Sequence, residues 1–234
     1  MKYFFDSRIR YSEIGENGKL TLLGLINYFQ DCSTFQSEEI GHGVEYLKKL
    51  GRAWVLSAWQ IHINRLPSLG ESVQVGTWAY GYRGFTGLRN FVMETAGGER
   101  LASANSIWAY VDVASGRPIR VTEDVVRIYG EEEPLKEDFG ARRILLAEQM
   151  EEEEPFLVRP HHLDTNHHVN NGQYISMAEE YLPKQMEIHS LRAEYKQQAH
   201  LNDMIYPMKK RDQEGCLVAL NDKNGVPYVV VEFK

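Results

Sequence analysis

Cysteine is nearly missing from this chain of 234 residues: there are two, Cys32 and Cys216, in different halves and in no ligand-like spacing. Neither a disulfide framework nor a zinc knuckle organises such a sequence. No apolar run reaches the roughly 18 residues that cross a bilayer, and the start carries no signal-peptide core. Met1 to Arg10 alternates like a strand instead, and an intact native amino terminus is expected. Positive charge is in deficit, with 26 Lys and Arg against 33 Asp and Glu for a net charge of −7. Nonspecific nucleic-acid binding, which needs a basic face, is therefore not expected. What remains is an ordinary globular composition, 43% hydrophobic and 25% charged. The length allows one large domain or two of roughly 100 to 130 residues, each with its own core. The cytoplasm is the expected compartment.

Periodicity gives the order of elements. Residues 2–10 read as a strand; Thr21 is a fair N-cap for a helix with Leu22, Leu25, Ile26, Phe29 and Cys32 at helical spacing, stopped at Gly41. A shorter helical piece, 44–50, ends at Gly51. Four strand-like runs follow, at 53–65, 71–82, 86–95 and 100–113; in the first, Trp59, Ile61 and Ile63 alternate with Gln60, His62 and Asn64, the pattern of a half-buried antiparallel strand. Acidic runs at Glu131 to Glu133 and Glu151 to Glu154 flank 134–150, a candidate helix, and read as a solvated linker. The expected division is 1–130, an acidic linker 131–154, and 155–234. After the linker the order restarts: a strand at 156–162, a polar loop, a helix at 171–182 stopped by Pro183, then strands at 188–196, 203–211, 216–220 and 226–233.

A restart invites a search for a repeat. A shift of 149 lays residues 12–31 on 161–180 without a gap, matching Arg10 with Arg159, Asn17 with Asn166 and Ile26 with Ile175. Farther on, a shift of 132 sets His62 opposite Glu194 and Leu69-Gly70-Glu71 opposite Leu201-Asn202-Asp203. In the register shifted by 149, Asp164 faces Gly15 and His168 faces Lys19. The scaffold is repeated, but the reactive side chains stand in the second half alone.

Those side chains lie in Arg159 to Pro183, where Asp164, Asn166, His167 and His168 precede two asparagines and an amphipathic run. Two readings stand side by side. A carboxylate, an amide and an imidazole near a helix N-terminus, whose N–H groups lack intrahelical partners, make a plausible oxyanion site. Equally, Asn170 or Asn171 is simply an N-cap, with Asp164 and Asn166 as turn residues bonding their own backbone. The pairs His161-His162 and His167-His168 match no standard metal-ligand spacing.

The stretch LDTNHHVNN, with Asp164, Asn166 and His168 at alternate positions, closely resembles the acyl-acyl carrier protein thioesterases. FFDSRIRYSEIGENGKLTLLGLINYFQD, WVLSAWQIHINRLPSLGESVQVGTW and IWAYVDVASGRPIRVTEDV agree in order and spacing, so the resemblance covers nearly the whole chain. It implies an α+β fold, the tandem or double hotdog, each half a helix wrapped by an antiparallel sheet. The implied reaction is hydrolysis of fatty acyl-acyl carrier protein to free fatty acid and holo carrier protein, with no metal or organic cofactor. The family's further carboxylate falls on Glu194 in SLRAEYKQQ. Plant members follow that glutamate with cysteine, where this chain has Tyr195, so an acyl-cysteine intermediate is in doubt. Plant members also carry a plastid transit peptide, and its absence points to a bacterial protein.

The site expected from the resemblance is Asp164, Asn166, His168 and Glu194. Water would attack with carboxylate help, Glu194 first and Asp164 second as general base, the reverse remaining open; His168 and Asn166 would orient water and substrate or polarise the thioester. Trp54, Trp59, Phe29 and Phe35 are the aromatics available to an acyl slot in the first half. The acidic carrier protein would dock on Arg142-Arg143, Lys184 or Lys209-Lys210-Arg211. Relatives are often homodimers, yet a tandem chain already contains the paired unit, so dimerisation stays open. The alternatives are an acyl-CoA thioesterase on the same scaffold and a non-catalytic acyl-binding hotdog.

Overall fold

An amphipathic helix in water needs a surface to cover its apolar stripe, and each helix of any length here has a sheet to lie on. The computed structural model describes residues 1–234 and separates into two compact units, Met1–Ser57 with Ile61–Phe139, and Ala58–Gln60 with Gly140–Lys234.

The first unit contains β1 (Tyr3–Arg8), α1 (Leu22–Glu39), α2 (Val44–Lys49), β2 (Arg52–Ile63), β3 (Ser72–Arg83), β4 (Thr86–Thr95), β5 (Arg100–Asp112), the short β6 (Arg117–Pro118) and α3 (Glu123–Tyr129). Its strands lie in the order β1-β3-β4-β5-β2, with β6 on β5. Helix α1 starts where expected, the Thr21 hydroxyl accepting the Gly24 N–H at 3.0 Å. It buries Leu22, Leu25, Ile26, Phe29 and Cys32, with the Phe29 ring 5.3 Å from Phe91 of β4. The last carbonyls turn away at Ile40, followed by Gly41 at φ 74°, a left-handed conformation that glycine adopts without steric cost. Burial pushes the Cys32 thiol up to about 12, so it packs as an inert apolar group.

The second unit adds β7 (Glu151–Glu152), β8 (Phe156–Leu157), α4 (Asn171–Glu179), β9 (Ser190–Tyr195), β10 (Met204–Arg211), β11 (Cys216–Asn221) and β12 (Pro227–Phe233). Strand order is β9-β12-β11-β10-β7, with β8 on the far end of β10. Helix α4 buries Tyr174, Ile175, Met177 and Ala178.

The segment 134–150 departs from expectation: it holds neither helix nor strand, and the helix lies earlier, at α3. Within 134–150 only Ile144 is buried, packing on Ala219 and Val230, so no apolar stripe exists to hold a helix to a sheet. In α3, Val125 and Tyr129, four residues apart, supply that stripe.

The repeat is reproduced in most of the backbone bonds around the turn. The bridge Ile14↔Leu20 recurs as Leu163↔Val169, and Lys19↔Ser68 as His168↔His200. Gly15 N–H to Lys19 carbonyl, 2.9 Å, recurs as Asp164 to His168, 2.8 Å; Ile9 N–H to Glu71 carbonyl, 3.0 Å, recurs as Val158 to Asp203, 2.9 Å. The N-caps Thr21 and Asn170 correspond. No helix is long and apolar enough to cross a membrane.

Thr21→Ala removes the α1 cap and is expected to cost about 1 kcal/mol, read as a lowered urea midpoint at unchanged m-value, with Thr21→Ser restoring most of it.

Candidate active site

Asp164 organises the loop before α4. Its N–H donates to the His168 carbonyl, and His167 N–H returns to the Asp164 carbonyl at 3.1 Å, closing a tight turn. Within the turn the Asp164 carboxylate accepts from the Asn166 N–H at 2.8 Å and the His168 N–H at 3.3 Å, both on Oδ1. Its other oxygen, Oδ2, faces the Asn166 side-chain amide at 3.5 Å. Asp164, Asn166 and His168 are thus brought together on one closed turn.

The turn has a cost. His167 sits at φ 61° in the left-handed region where the first unit has Gly18 at φ 72°. For a residue with a Cβ this conformation costs about 1–2 kcal/mol, and such strain gathers at functional loops. The gain is an imidazole where the first unit has a bare backbone.

His168 is half-buried, its ring centroid 4.8 Å from His200. Burial holds its pKa below the ordinary 6.5, helped by repulsion from His200 and His167 and opposed by the Asp164 carboxylate. The neutral imidazole, able both to donate and to accept, persists further into acid than usual. His200 was missed in the sequence; the shift of 132 that pairs it with Ser68 was the available signal.

Helix α4 behaves at its start as a capped helix. Asn170 Oδ1 accepts the Gly172 N–H at 2.8 Å, and the Asn170 carbonyl accepts from Gln173 at 3.0 Å and Tyr174 at 3.4 Å. These three N–H groups are occupied, so what the helix lends the loop is chiefly its dipole. The capping alternative is realised at Asn170, and the turn alternative at Asp164.

Glu194 stands elsewhere. It is 8% exposed on β9, accepting the Ile144 N–H at 3.1 Å and pairing with Lys196 at 3.0 Å. Side chains alternate along a strand, and the neighbouring Tyr195 turns to the helix side, donating to the Asn171 carbonyl of α4 at 2.9 Å. No contact joins Glu194 to Asp164, Asn166 or His168. Burial raises the Tyr195 phenol well above its ordinary range, keeping it a protonated donor rather than a nucleophile. Cys216 is buried too, and its thiol is likewise raised by burial.

The aromatics named for an acyl slot differ in exposure. Phe29 and Trp59 are wholly buried, whereas Phe35 is 45% exposed and meets Phe5 edge-on at 5.4 Å. Trp54 packs on Tyr110 at 4.7 Å.

Two family models match this chain: the acyl-ACP thioesterase N-terminal domain over residues 2–129, and the acyl-ACP thioesterase C-terminal domain over residues 146–230. Among curated proteins, a chloroplastic palmitoyl-acyl carrier protein thioesterase of Cuphea hookeriana is 25% identical over 226 residues, covering 88% of this chain and 54% of the relative. Its counterpart in Gossypium hirsutum is 29% identical over 220 residues, covering 84% and 52%. The chain spans about half the length of these relatives. An acyl-ACP thioesterase from Bacteroides thetaiotaomicron superposes with a TM-score of 0.89 at 21% identity, over 99% of this chain and 96% of that one. A 12:0-ACP thioesterase from Umbellularia californica superposes at 0.88 and 18% identity, over 100% and 96%. At these identities the superpositions establish the fold, the α+β double hotdog.

An NMR titration should find the His168 imidazole below 6.5, and His200→Gln should move it upward by removing a repelling neighbour. A midpoint above 6.5 in the wild type would contradict the burial argument.

Proposed function

We infer the activity of this chain from one premise: it belongs to the acyl-ACP thioesterase family. It hydrolyses the thioester of a fatty acyl-acyl carrier protein. The observation that carries this reading is the closed turn holding Asp164, Asn166 and His168 together ahead of α4, within the matched C-terminal domain.

The reaction needs water made nucleophilic, a donor for the carbonyl oxygen and a leaving thiolate. Asp164 Oδ2, not engaged by the backbone, takes a proton from water as the water oxygen bonds to the carbonyl carbon. The neutral His168 ring and the Asn166 amide donate to the thioester oxygen as charge builds there. Collapse breaks the carbon–sulfur bond, and the thiolate leaves with the proton first taken from water. The products are the free acid and the carrier-protein thiol.

Geometry favours Asp164 over Glu194 as the group that activates water. The Glu194 carboxylate is committed to Ile144 N–H and Lys196, which suits it to holding the segment before β7 against the sheet. That segment supplies the best docking surface for an acidic carrier protein. Arg142 and Arg143 are exposed and make no ion pair, and beside them Leu145 and Leu146 are 72% and 47% exposed. By contrast Lys209 is already paired with Glu151 and Glu153, and Arg211 with the Tyr181 carbonyl. An exposed pair of cations beside apolar side chains fits a partner that is acidic with an apolar seam.

Thiol release from matched acyl-carrier-protein and acyl-CoA thioesters is the test. Asp164→Asn is expected to lower kcat by about 100-fold or more, and Glu194→Gln by less than about tenfold. Charge reversal at Arg142 and Arg143 should raise KM about tenfold for the carrier-protein series and leave the CoA series little changed. Equal loss in both series would favour an acyl-CoA thioesterase. No turnover of any thioester by folded protein would leave an acyl-binding module.

A further inference from the structure

The two halves share a backbone but fill the space beside their helices differently. In the first unit the Tyr28 phenol reaches from α1 to the turn before it, donating to Glu13 Oε2 at 2.9 Å and lying 3.2 Å from Ser7 Oγ. In the register of the repeat, Tyr28, Ser7, Arg8 and Glu13 become Met177, Phe156, Leu157 and His162. Those four residues line an open cavity of about 540 Å³, together with Arg159, His161, Glu180 and Met204. The cavity occupies the place that a tyrosine plugs in the other half. Its size is ordinary for a small-molecule site.

The missing phenol also indicates what chemistry would replace it. Tyr28 offers an apolar ring along the helix and an O–H that donates to a carboxylate at the turn. In the second unit the glutamate has become His162, whose Nδ1 accepts the Arg159 N–H at 3.0 Å, so that the neutral ring carries its proton on Nε2. Arg159 makes no ion pair, and the His161 ring stands 4.2 Å from His162. The polar rim has turned from acceptor to donor, with Glu180 as the one carboxylate among the lining residues. Phe156, Leu157, Met177 and Met204 provide the apolar walls.

We propose that this cavity binds a linear amphiphile with a terminal carboxylate, a free fatty acid. The chain lies against Met177 and Met204, and the carboxylate meets Arg159 and His162. Such a site, separate from the Asp164 turn, would let the protein sense the class of product it releases; the proposal rests on the thioesterase reading only for that source. Burial, followed by the neighbouring His161 and Arg159 charges, holds the His162 pKa below its ordinary value, so Arg159 is the standing positive charge at the rim.

The experiment uses the full chain with ¹³C-methyl methionine, whose seven methyl groups report by position, titrated with decanoate below its micellar concentration. Decanoate should shift the Met177 and Met204 methyl resonances saturably, and Arg159→Gln should weaken this by about tenfold. Met177→Tyr, which restores the first unit's plug, should abolish the Met204 shift. Because Tyr28 occupies the equivalent place, the backbone has a precedent for it. Decanol and decyltrimethylammonium should bind far more weakly. Equal shifts with all three amphiphiles, indifference to Arg159→Gln, or immobile Met177 and Met204 signals would each overturn the site. The readout needs no turnover, so an inactive protein that binds decanoate here rejects the thioesterase reading alone, and an active one that does not bind rejects this site alone.

Discussion

The Asp164 N–H to His168 carbonyl bond, 2.8 Å, closes the turn that carries Asp164, Asn166 and His168. With the Leu163↔Val169 bridge it delivers the chain to the Asn170 cap in one fixed direction. Each bond is worth only about 1 kcal/mol net, but together they leave the loop few other conformations. The same turn in the first unit is closed by Gly15 and Lys19. Because the backbone makes the turn, the side chains on it are free to differ.

That freedom explains why a duplicated scaffold carries unlike halves. At three positions of one turn, Gly15, Gly18 and Lys19 stand opposite Asp164, His167 and His168. The second half accepts a strained left-handed histidine, and gains a carboxylate and two imidazoles within a few residues. At the helix, Tyr28 stands opposite Met177, and a filled space becomes an open one. The bonds that close the turn survive both changes, while the Leu69 N–H to Gly18 carbonyl bond of the first unit has no counterpart at Leu201 and His167.

The order of elements was legible in the sequence because it follows from local chemistry. Thr21 and Gly41 bracket α1 as cap and stop, and alternation marked the strands. The helix expected within 134–150 failed because charge runs carry no information about burial, and α3 was overlooked between polar neighbours. Asp164, Asn166 and His168 were legible as a cluster because they are neighbours in the chain. His200 and the contacts of Tyr195 and Glu194 were not, since they depend on which face of a strand or turn each side chain takes.

Sequence alone determined the repeat, the helix that follows each turn, and the clustering of Asp164, Asn166 and His168 ahead of the second helix, because periodicity and capping act over a few residues. Only the tertiary structure decided that burial and His200 lower the His168 pKa, that Lys196 and the Ile144 amide occupy Glu194, and that a cavity opens beside Met177 where Tyr28 stands in the first unit. Desolvation, ion pairing and packing arise between residues distant in the chain, and no local pattern encodes which of them will meet.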